Sequence, residues 1–166
     1  MSHWPIHQHE PKGKHVDIEN DRLILFLCYS SNIEWEEIEK LSTQSKKLTK
    51  HVTTVAYCFD ANKQINNSDG SIIQFSDKDF NILGRPKERL QKWFAANNFD
   101  LLLSFTDEDC IFCNKFIDYV DCNFKVGRYS IKNISQFDFT IAHSTKDINE
   151  QLEQYIHYLK KLNINK

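Results

Sequence analysis

A chain of 166 residues, 40% hydrophobic, 27% charged and 13% aromatic, fits one domain large enough to bury a hydrophobic core without disulfide staples. Its formal net charge of -2 excludes a globally basic surface, so nucleic acid is not indicated as a partner outside a larger assembly. No apolar run approaches the roughly 20 residues that a membrane-crossing helix needs, and the opening residues do not have the pattern of a secretion signal.

Residues 1–21 are polar, interrupted by Pro5, Pro11 and Gly13, and without helical or strand period. They read as a flexible arm. Its His3, His7, His9 and His15 would bind a divalent metal only adventitiously, since a structural site needs three or four preorganised ligands. The domain proper is expected over 22–166.

Leu23 to Tyr29 is apolar on both faces, the mark of an interior strand. Ser30, Ser31 and Asn32 then offer helix caps, and Glu34, Glu36 and Glu37 favour a helix start, predicting a helix to about Lys50 with Trp35, Ile38, Leu41 and Leu48 inward. A second strand is predicted over His51 to Phe59, a polar loop over Asp60 to Gly70, and a short strand at Ile72 to Phe75. The Asp-rich stretch from Ser76 and the Gly84-Arg85-Pro86 bend lead to a helix over Lys87 to Ala96, with Pro86 in its first turn and Leu90, Trp93 and Phe94 buried.

Asp100 to Phe105, a helix over about Glu108 to Asp121, and Phe124 to Tyr129 read as the central β-α-β unit. A last strand over Phe137 to Ala142 and a helix over Ile148 to Leu162 complete the order β-α-β-β-α-β-α-β-β-α. That order predicts an α/β fold, a three-layer Rossmann-like sandwich on a mostly parallel sheet of about six strands. Right-handed crossovers would put the first and fourth strands together at the centre.

In such a sheet, ligands bind beyond the carboxyl ends of the strands, where the strand order reverses. No Gly-x-Gly-x-x-Gly or phosphate-cradling Gly-x-x-x-x-Gly-Lys-Ser/Thr occurs, so no cofactor is expected. The candidate contacts around the crevice are Ser30, Ser31, Asp79, Asn81 and Arg128, with capping the plainer role of the two serines. Cys110-Ile111-Phe112-Cys113 has the position of a redox pair at a helix N-terminus. The bulky Ile-Phe pair and the neighbouring Asp107, Glu108 and Asp109 weigh against a reactive thiolate, and Cys122 is the one further cysteine close by in sequence for a metal. His143-Ser144-Thr145 follows the last strand, but no nucleophile elbow accompanies it, so no catalytic residue is assigned.

Phe75-Ser76-Asp77-Lys78-Asp79-Phe80-Asn81 with Gly84 and Pro86, then Phe99-Asp100-Leu101-Leu102, Lys125-Val126-Gly127-Arg128 and the Glu-Gln-x-x-x-Tyr-Leu-type terminal helix resemble an uncharacterised family of small cytoplasmic proteins from Bacteroidota, filed as a domain of unknown function. The resemblance covers nearly all of the chain after Arg22 and implies no catalytic residue. The Phe-Asp-Leu-Leu-Leu strand, a helix and Lys-Val-Gly-Arg also look like the N-terminal half of heptosyltransferase-type glycosyltransferases.

Five cysteines, odd in number and mostly within apolar runs, fit reduced thiols and a cytoplasmic location, and the abundance of Lys, Asn, Ile and Phe fits an AT-rich bacterial genome. The expected function is that of a non-enzymatic binding or interaction domain acting through a protein or ribonucleoprotein partner. The alternative is a small-molecule or nucleotide-binding enzyme, a glycosyltransferase-like half domain using the crevice at the strand ends.

Overall fold

The computed structural model describes residues 16–29, 34–59, 71–106, 110–132, 134–142 and 145–164. Six strands form one sheet: β1 (Leu23–Tyr29), β2 (Val52–Cys58), β3 (Ile72–Phe75), β4 (Asn98–Ser104), β5 (Asp121–Arg128) and β6 (Phe139–Ile141). Their spatial order is β3-β2-β1-β4-β5-β6, and every neighbouring pair is parallel, so the expected "mostly parallel" sheet is wholly so. β1 and β4 lie side by side, and the order reverses between them.

Four helices connect the strands: α1 (Trp35–Ser45), α2 (Glu88–Ala96), α3 (Ile111–Tyr119) and α4 (Ile148–Ile164). Because successive side chains of a strand face opposite ways, β1 splits its apolar run between two cores. Leu23, Leu25 and Leu27 pack with Trp35, Ile38 and Leu41 of α1 and with Ile148, Leu152, Tyr155 and Leu159 of α4. Ile24, Phe26 and Cys28 pack with Leu90 of α2 and with Cys113, Phe116 and Ile117 of α3. Helices therefore cover both faces, which makes the three layers.

Local chemistry sets the element ends. The cap of α1 is Glu34 rather than the expected serine cluster: its backbone N–H donates to Glu37 Oε2 at 2.8 Å, and Ser30, Ser31 and Asn32 lie outside the described residues. The helix ends at Ser45, short of the expected Lys50. The chain then turns through Leu48 and Thr49, whose backbone N–H groups both donate to the Ser45 carbonyl. Pro86 stands just ahead of α2, not in its first turn, where it bridges to Phe80. The packed unit also takes in Val16, which is buried with the α1 and α4 core, ahead of the Arg22 boundary expected from the sequence.

Two glycines answer specific demands. Gly84 adopts φ 72°, the left-handed region that a side chain resists, and closes the turn in which Asn81 Oδ1 accepts from the Leu83 and Arg85 N–H groups. Gly127 lies against the Phe137 ring so closely that an added Cβ would stand 2.4 Å from it. The Lys-Val-Gly-Arg stretch thus needs its glycine for packing.

Candidate functional site

β1 ends in Cys28-Tyr29, and β4 is followed by Cys110, the N-cap residue of α3. Since β1 and β4 are neighbours and α3 covers the same face as the Cys28 side chain, strand order and strand parity bring three cysteines together. The sulfurs of Cys28, Cys110 and Cys113 all lie within 4.8 Å of one another, and all three residues are buried. The group stands at the carboxyl ends of the strands, at the point of order reversal.

The cluster is polarised. Cys113 N–H donates to Cys110 Sγ at 3.2 Å. Hydrogen bonds from the Cys113 and Cys28 side chains hold the Cys110 thiol well below its ordinary range, against the opposing effect of burial. Burial pushes the Cys113 thiol the other way, with its bonds to Cys110 and Cys28 adding to the rise. The adjacent Tyr57 hydroxyl is raised, first by burial and then by the charge of Cys110 and Cys113. Beneath the thiols, the Phe26, Phe75 and Phe116 rings stack, with centroids 4.6 Å apart for Phe26 to Phe116 and for Phe75 to Phe116. A cation reaching this group would meet sulfur ligands in apolar surroundings.

The third sulfur is Cys28, whereas sequence proximity had pointed to Cys122. Cys122 is the second residue of β5, at the amino end of the sheet, on the order of 20 Å away along the strands. Its thiol donates to the Phe124 carbonyl. The signal for Cys28 was present in the sequence, in an even-numbered position on the first strand that shares a face with the helix after the fourth.

The other described candidate contacts belong to different parts of the sheet. Asp79 follows β3, where its carboxylate accepts from the Ser76 N–H at 2.9 Å and pairs with Arg89 through both oxygens. Asn81 spends its side-chain oxygen on the Gly84 turn. Arg128 ends β5, four strand positions from β3, a separation of about 19 Å at ordinary strand spacing. Ser30 and Ser31 lie outside the described residues, as do His143, Ser144 and the N-terminal histidines.

Among the described residues, Cys28 and Tyr57 near the carboxyl ends of β1 and β2, and Phe105, Thr106 and Cys110 after β4, are all buried. A polar cleft of about 340 Å³ opens at the opposite, amino-terminal edge, lined by residues including Arg22, Lys50, His51 and Asn98. On the outside of α3, Ile111 and Tyr119 are exposed either side of Lys115, and the Gly84 turn approaches Lys115, adding Ile82 and Leu83. Leu83 and Ile111 keep 73% and 70% of their surface in solvent. No described helix is long and apolar enough to cross a membrane.

Residues 7–162 match the family described as a family of unknown function (DUF6913), and the chain belongs to it. No curated protein and no solved structure matches the chain.

Proposed function

We propose that this member of the family is a non-enzymatic binding domain that docks a protein partner, in the cytoplasm of a bacterium, through the outer face of α3 and the Gly84 turn. The observations that carry this reading are the exposure of Ile111 and Tyr119 one turn either side of Lys115 on α3, and of Ile82 and Leu83 in the turn whose Gly84 approaches Lys115. Large apolar side chains contiguous on a surface mark contact sites. The central Lys115 suits a partner that presents an apolar side chain beside a carboxylate. The cytoplasmic part rests on five cysteines without a disulfide.

The test compares the native chain with Leu83→Asp, an exposed change that should leave thermal unfolding unmoved. Cross-linking in the native cell, followed by nuclease treatment, should capture a defined protein with the native chain and lose it with Leu83→Asp. Capture unaffected by the substitution, capture abolished by nuclease, or self-association lost in the variant would each overturn the reading.

A second reading is favoured by one observation. The strand order with its reversal between β1 and β4 is that of dinucleotide-binding sheets, which supports a small-molecule or nucleotide site or a glycosyltransferase-like half domain. Thermal shifts across a panel of nucleotides and sugar nucleotides would favour it, and a flat panel would remove it.

A further inference from the structure

We propose that Cys28, Cys110 and Cys113 form a three-thiolate site for a single thiophilic d10 cation, Zn(II) or Cu(I). The proposal stands apart from partner docking, since none of its ligands belongs to the exposed patch.

Geometry is the first support. Three sulfurs bound to one ion at about 2.3 Å stand roughly 3.8–4.0 Å apart. The sulfurs here are within 4.8 Å of one another, so side-chain adjustments of about 1 Å close the shell. The ligands come from two rigid elements, the end of a central strand and the first turn of a helix, rather than from a loop.

Ligand chemistry is the second. Among the described residues the group contains sulfur donors alone, and it belongs to an apolar cluster that includes Tyr57 and Phe112, whose ring centroids are 6.2 Å apart. Soft donors in apolar surroundings select soft cations over Mg(II) or Ca(II), which take oxygen ligands. The charge of bound thiolates is offset by the ion and by the amino end of α3, whose Cys113 N–H already points at Cys110 Sγ. Binding displaces the remaining thiol protons to solvent, up to three per ion. The sulfurs keep their oxidation state.

The experiment uses the full chain, purified reduced and metal-free. Co(II), as the probe for the zinc arm, should give a thiolate-to-cobalt charge-transfer band that saturates at one ion per chain and is erased by Zn(II). Cu(I) should give thiolate–copper absorption with the same stoichiometry, and competition with chelators of known affinity separates the two ions. Histidine ligands of the N-terminal segment cannot produce either band.

Cys28→Ser should weaken binding at least tenfold, and Cys122→Ser should leave it unchanged. Because a buried substitution can disturb folding, the native chain supplies a second readout. Metal loading should slow alkylation of Cys28, Cys110 and Cys113 together, as mapped by mass spectrometry, and leave Cys122 as it was. Absence of a sulfur band in both arms, a band of full strength in folded Cys28→Ser, or alkylation unaffected by metal would overturn the proposal.

Discussion

Cys122 shows how one buried thiol sets a pH dependence. Burial pushes its pKa from 9.0 up to about 12, only partly countered by the Phe124 backbone and by Lys125, while Asp138 and Asp100 add to the rise. The folded chain therefore keeps a proton that the unfolded chain releases. Stability is full below about pH 9 and falls as pH rises towards about 12. Tyr155, raised by burial in the same direction, adds to the loss further up. Urea unfolding of the native chain and Cys122→Ala, followed on the alkaline side, should show a shallower decline for the variant, with parallel curves near neutrality.

At the scale of elements, α3 is held by its aromatic floor. The Phe116 ring lies 4.6 Å from Phe26 and from Phe75, and 5.0 Å from Phe94, so it joins β1, β3 and α2 to the helix. Its C-terminal end is tied by Lys125 Nζ, which donates to the Ile117 carbonyl. Phe116→Ala should cost about 3–5 kcal/mol, read from denaturant midpoints at unchanged slope. The same change should also speed alkylation of Cys113 one turn away.

Elements of this kind were legible in the sequence where a two-sided apolar run or a clean helical stripe marked them, as in β1 and α4. Their ends were less so. The serine cluster before α1 looked like the better cap by residue type, but the Glu34 and Glu37 pair satisfies the first-turn N–H groups, and nothing local distinguishes the two. The Cys-x-x-Cys motif is legible as well, but its third partner comes from across the sheet. Nearness in sequence favoured Cys122, while nearness in space follows from strand order and parity, which place Cys28 opposite α3.

For the whole molecule, two surfaces with different chemistry follow from one topology. Among the described residues, three cysteines gather at the carboxyl edge, where the strand order reverses between β1 and β4. The same crossover exposes the outer side of α3, with Ile111 next to the buried Cys110. The docking reading and the metal reading thus meet at one helix end but stand on separate residues.

The central claim is that fold topology, rather than sequence proximity, assembles three thiols into one ligand set. X-ray absorption fine structure of the native full-length chain loaded with one equivalent of Zn(II) or Cu(I), whichever the competition shows to bind more tightly, is decisive because it counts sulfur neighbours without any substitution. Three sulfurs at about 2.3 Å are expected. A shell of nitrogen and oxygen, or one with fewer than three sulfurs, would contradict it.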